Sequence, residues 1–266
     1  MEIQRYICEK CGDSHPTETH DNLVMMKLTN PDYLPSRQEV LDVVKPDLHD
    51  DADSRRERFF KHDEMKEMGY ELLNQEFIEA FANYLVSRIE QYQKDDKPVT
   101  ILEVGAGTGR LARFINEKLR SKAPSKFEFF ATNLKDGKYD KTPAFPVEEI
   151  GYKEALKKYN PTIVISSWMP YEDDWTADFR ANSSVQEYIL IGERASTGQG
   201  WLTWGDPFEG AHSIEEREEL EKQEPPHELD GFDMNCLEDV SDQQIKSPVY
   251  GSQTEPVTYS FRRISK

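Results

Sequence analysis

Cysteine is scarce: Cys8, Cys11 and Cys236 are the only three in a chain of 266 residues. Three is too few for a disulfide framework, so the expected compartment is a reducing one, cytosol or nucleus. Long apolar runs are missing as well. No segment approaches the ~20 residues that span a bilayer, and the opening "MEIQRYICEKCG" lacks the basic-then-apolar layout of a secretory leader. Positive charge is short too, with 33 Lys and Arg against 51 Asp and Glu, a net charge of -18. A surface that negative repels phosphate backbones, and no run of Lys and Arg offsets it. The expected partner is therefore a small molecule or a protein, with no nucleic acid and no membrane.

What is present can build a core: 36% of the residues are hydrophobic and 11% aromatic. No internal repeat or long low-complexity segment interrupts the chain. Residues 1–32 are polar and carry a Cys/His cluster; 33–95 read as a helical segment; 96–266 read as an α/β domain. Within the helical segment, "PSRQEVLDVVKPDL" has a helix-start signal and stops at Pro46. The charged stretch 47–70 reads as a solvated helix or loop. Residues 71–92 place Leu72, Leu73, Phe77, Ile78, Phe81, Leu85 and Ile89 at helical spacing, which predicts an amphipathic helix.

From Val99 the rhythm alternates. Strands "VTILEV", "KFEFFATN", "TIVISSW" and "EYILIGE" are separated by helices "RLARFINEKLR" and "YKEALKKY", with a short apolar piece "AFPVEEI" before the second helix. Apolar strands between helices predict a doubly wound, mostly parallel sheet. "GFDMNCLEDVS" and "PVTYSFRRI" have no helix pattern between them and predict an antiparallel finishing pair. The acidic run "SIEEREELEKQE" reads as a solvated helix.

The stretch with chemistry in it is "TILEVGAGTGRLARFI", 100–115. Ligands in such sheets sit beyond the carboxyl ends of strands, above the first strand-to-helix turn. A dinucleotide fingerprint needs its third glycine where Arg110 stands; Gly109 arrives one residue early. A P-loop needs a Gly-Lys-Ser/Thr ending, which is absent. "LEVGAGTGRLA" instead resembles the first motif of class I, Rossmann-like S-adenosylmethionine (SAM)-dependent methyltransferases, over about residues 95–266. The resemblance implies a seven-stranded sheet, SAM as cofactor, and an N-terminal helical cap that closes over it. It implies that Glu103 orders the turn and the amino end of SAM, while Gly105, Ala106 and Gly107 run against its aminocarboxypropyl chain. Asn133, with Leu134, stands where the family has an acid on the ribose hydroxyls; Asp136 is the next acid along. Ile150, between Glu149 and Gly151, is expected at adenine, and Ser167 at the cofactor side of the fourth strand.

All four tryptophans fall between 168 and 204. "SSWMPYEDDW" stands where amino-group methyltransferases carry Asn/Asp-Pro-Pro-Tyr, but only Pro170 and Tyr171 match. Trp168, Met169, Trp201 and Trp204 are the expected acceptor-binding residues, with core packing the competing reading for each tryptophan. Tyr171, Asp174 and Glu193 are the candidates for orienting the acceptor or taking its proton, with Asp173 beside them. Cys8, Cys11, His15 and His20 have the outline of a zinc knuckle, although the gap from Cys11 to His15 is far shorter than a zinc finger uses; an exposed reduced terminus is the plainer reading. The functions left open are methyl transfer to a small-molecule or protein acceptor, a non-catalytic SAM-binding sensor or scaffold, and a nucleotide-dependent oxidoreductase.

Overall fold

A computed structural model describes residues 30–44, 71–123, 126–134, 145–245 and 255–264. Cys8, Cys11, His15, His20, Asp136 and the charged stretch 47–70 lie outside the described residues. Among those described, no three His, Cys, Asp or Glu side chains could hold a metal together, and no helix is long and apolar enough to cross a membrane.

Seven strands form one sheet: β1 (Val99–Val104), β2 (Phe127–Thr132), β3 (Val147–Glu148), β4 (Ile163–Ser167), β5 (Glu187–Gly192), β6 (Phe232–Cys236) and β7 (Val257–Arg263), in the order β3-β2-β1-β4-β5-β7-β6. The first five are parallel; β7 runs antiparallel between β5 and β6. This is the doubly wound, mostly parallel sheet with an antiparallel finish that the sequence predicts.

The central strands β1, β4 and β5 are buried nearly throughout because helices cover both faces. Alternate residues point to opposite sides. Ile101, Ile163, Ile165 and Ile189 meet helices α2 (Gln75–Tyr92) and α3 (Arg110–Lys122) on one face. Leu102, Val104, Val164, Tyr188 and Leu190 meet α4 (Tyr152–Tyr159) and α5 (Thr176–Ala181) on the other. The antiparallel finish is fastened by an aromatic pair: Tyr188 and Phe261 are register partners whose rings stack at 4.5 Å.

The helix expected over 71–92 starts later, at Gln75. Asn74 caps it, accepting from the Phe77 N–H at 2.8 Å, and residues 71–74 approach it in non-helical form. Phe77, Ile78, Phe81, Leu85 and Ile89 are buried against the sheet, so the expected cap helix shares the main core. Truncating Phe77 or Phe81 to Ala costs about 3–5 kcal/mol at such sites. The short helix α1 (Arg37–Val44) leans on α2 through the Pro35 carbonyl, which accepts from the Gln75 N–H at 2.8 Å.

Candidate functional site at the carboxyl ends of the strands

Strand β1 ends in a turn that only glycine makes cheaply. Gly105, Gly107 and Gly109 have φ of +67°, +55° and +73°, left-handed values that a Cβ disfavours. The turn is tied to β2 by the Ala106 N–H, which donates to the Thr132 carbonyl at 3.0 Å. Space differs at each glycine. A Cβ on Gly109 would strike Val147 at 2.6 Å; one on Gly105 would press on the Trp175 indole at 3.0 Å; one on Gly107 would meet nothing within 4 Å. Gly107 therefore leaves bare backbone facing open space, while the room beside Gly105 is taken by Trp175.

Just before the turn lies Glu103, only 2% exposed. Its charged form is favoured by the Ala112 backbone N–H, in the first turn of α3. Its Oε2 has no partner. Burial pushes the carboxyl up to about 8, against the pull of the Ala112 bond. Two further buried groups at these strand ends are short of partners. Arg110, opening α3, donates through one nitrogen to the Tyr33 carbonyl at 2.7 Å and leaves Nε and Nη1 unpaired. The Ser166 hydroxyl, near the end of β4, is buried without a partner as well.

The β2 and β3 ends form the next wall. Asn133 is half-buried; its N–H donates to the Glu148 carbonyl at 3.0 Å and its side-chain amide to the Leu134 carbonyl at 2.9 Å. Leu134 is 65% exposed and lies against the Gly151 turn, beside half-buried Ile150. Trp175 stacks on Tyr152 at 4.8 Å, which completes an aromatic wall from Gly105 to the start of α4.

The residues expected at the acceptor are dispersed. Trp168, at φ +55°, is half-buried at the end of β4 next to half-buried Ser167, and its indole N–H donates to Glu71 at 2.9 Å. Met169 and Trp204 lie in the core instead; the Trp204 N–H is bonded to the Thr197 carbonyl at 2.8 Å and its ring packs on Tyr259. An indole so enclosed presents no face to a ligand. Trp201 is half-buried in the π-helical turn Gly200–Trp204, its backbone so close to Gly210 that a Cβ there would strike it. Asp174, expected at proton transfer, is a local clamp: it accepts from the Thr176 N–H at 3.1 Å and hydroxyl at 2.5 Å, and from the Thr203 hydroxyl at 3.1 Å. Glu193 is buried at the end of β5 and accepts from the Ser196 hydroxyl at 2.9 Å. Tyr171 is 66% exposed, and Asp173 is exposed beside it. Trp175 and Glu71 went unassigned in the sequence. Trp175 stands in the segment where all the tryptophans gather, whereas nothing local marks Glu71.

No family model matches the chain, and no curated protein matches it. Solved structures similar to it include the citrinin polyketide synthase CMeT domain, at 12% identity and a TM-score of 0.44, covering 94% of this chain and 70% of that one. The plantazolicin methyltransferase BamL, in complex with a triazolic desmethylPZN analog and SAH, is similar at 11% identity and a TM-score of 0.38, covering 92% and 97%. DszA carbon methyltransferase is similar at 15% identity and a TM-score of 0.40 over 70% of this chain, which spans 55% of the DszA chain.

Proposed function

We propose that the chain binds SAM over the turn Gly105–Gly109 and transfers its methyl group to a small-molecule or protein acceptor. One observation carries the reading: bare backbone at Gly107 faces open space, and four residues before it Glu103 is buried with an unpartnered oxygen. These residues fit the group. An aminocarboxypropyl chain needs backbone without a Cβ to lie on, an ammonium needs a buried acceptor, and a carboxylate is favoured at the start of a long helix such as α3.

SAM supplies a sulfonium-bound methyl group, open to in-line attack. The chain's own residues bind and orient. Gly107 gives the amino-acid portion its bed, and Glu103 is the acid beside it for the ammonium. Leu134 and Ile150 offer apolar surface to adenine, and Asn133 stands beside them for the ribose. The Trp175–Tyr152 stack keeps water from the turn and turns aromatic faces toward a cationic ligand. With Asp174 clamped to Thr176 and Thr203, the catalytic role of the chain is alignment of the acceptor, with Tyr171 the exposed hydroxyl available to orient it.

Calorimetric titration with SAM tests this. Wild type binds. Gly107→Val loses binding because the new side chain fills the bed, and a urea melt of the same variant reads separately the strain of a β-branched residue at φ +55°. No heat with wild type, or equal affinity in the variant, overturns the reading.

A further inference from the structure

The strand ends hold a second buried carboxyl, which the proposed cofactor contacts leave aside. Glu71 lies in the segment leading into α2, and the extended β4 backbone brings Trp168 against it from 97 positions away. The Trp168 indole N–H donates to Glu71 Oε2 at 2.9 Å, and the Gln244 side-chain amide donates to the same oxygen at 3.3 Å. Gln244 is itself held, accepting from the Thr258 hydroxyl at 2.9 Å. Trp168 also has a left-handed backbone, φ +55°, which side chains other than Gly, Asn and Asp seldom adopt. Its own N–H donates to the Ile191 carbonyl at 2.7 Å. A strained residue pinned at both backbone and ring is a residue whose direction is being imposed.

That direction concerns the ligand end of the sheet. Ser166 pairs with Val104, so Trp168 stands two residues past the same level at which β1 gives way to the glycine turn. We propose that Glu71 is a positioning residue whose carboxylate holds the Trp168 indole at this end, and that loss of its charge loosens the hold.

The chemistry follows from charge assistance: an indole N–H bonds more strongly to a carboxylate than to a neutral acid. Burial pushes Glu71 up to about 7; the Trp168 and Gln244 bonds pull it down, and the charge of Glu193 pushes it up again. Glu193, at the end of β5, is the charged group acting on Glu71 among the described residues. Above about 7 the carboxylate forms and the indole is held; below it the acid is a weaker acceptor. The consequence for methyl transfer rests on the reading above, but the switch does not.

Indole N–H signals of nitrogen-15-labelled protein test it, with the Trp168 signal among the four tryptophans assigned by Trp168→Phe. The Trp168 signal moves through a transition centred near pH 7 while the other three do not follow it. Glu71→Gln keeps a neutral acceptor, so its Trp168 signal stays near the acid-limit position at every pH. A Trp168 signal that is flat between about pH 5.5 and about pH 8.5 in wild type, or that titrates unchanged in Glu71→Gln, overturns the proposal. Should Glu71→Gln fail to fold, Gln244→Met removes the second donor and raises the midpoint; an unmoved midpoint overturns the proposal equally. SAM calorimetry on the same samples keeps the two ideas apart: a wild type that ignores SAM removes the cofactor reading and leaves the indole titration to be judged alone.

Discussion

The two ends of the parallel sheet treat a buried carboxylate in opposite ways. At the amino end, Glu187 opens β5 fully buried and fully answered: Arg88 bonds it at 2.6 Å, the Ser260 hydroxyl at 2.6 Å, and the Tyr84 hydroxyl also donates to it. Helix α2 supplies Arg88 and Tyr84, so this network ties helix to sheet. At the carboxyl end, Glu103 is equally buried yet has one oxygen with nothing to accept, and its carboxyl is raised to about 8. Satisfied polar groups hold a fold together; unsatisfied ones cost stability and await a partner. This asymmetry is the reason the proposed site is put at the carboxyl end.

Removing Glu187 breaks the comparison most severely. Glu187→Ala strands the Arg88 guanidinium, and such losses cost about 3–5 kcal/mol. Urea melts show the loss, while SAM affinity at the far end of the sheet stays within about twofold.

Glu103→Gln does the reverse. A carboxyl raised from 4.5 in the unfolded chain to about 8 in the folded one favours folding at low pH and loses that contribution as pH rises toward 8. Glu71, raised to about 7, adds to the same trend. Wild type therefore loses stability between about pH 5 and about pH 9, and the variant, with no charge to bury, loses less, on the order of 4 kcal/mol less at the alkaline end. Melting temperatures across that range check the sign. A variant that tracks wild type at every pH denies Glu103 its unsatisfied state.

The fold was largely legible, and for a physical reason. Strands buried on both faces are mostly apolar, so β1, β4 and β5 announce themselves, and the glycines of the turn mark a backbone that no other residue makes easily. The site was legible only where it is local. Glu103 and Gly107, the core of the proposed site, lie in one stretch that the sequence singles out. The bond from Trp168 to Glu71 joins positions 97 apart, and no local pattern encodes it. Trp201 and Trp204 look alike in sequence, yet three residues of a π-helical turn put one at the surface of the core and the other inside it. The bonds of Asp174 at the start of α5 follow a two-residue spacing to Thr176 that the sequence does show.

The smallest effect sharpens the contrast between exposed and enclosed groups near the site. Tyr171→Ala removes a side chain that is 66% exposed, so stability moves within about 0.5 kcal/mol. An acceptor-orienting role appears as a lower kcat/KM at unchanged SAM affinity, once an acceptor is in hand.

The most direct measurement is the proton balance of SAM binding. Glu103, with its carboxyl near 8, is largely protonated at pH 7 in the free protein. Pairing Glu103 with the ligand's ammonium requires the carboxylate, so titrations at pH 7 in buffers of different ionisation enthalpy report release of about one proton. The release disappears in Glu103→Gln. SAM heats that are independent of buffer in wild type, or the same release in the variant, would contradict the assignment of Glu103 and the glycine turn as the site.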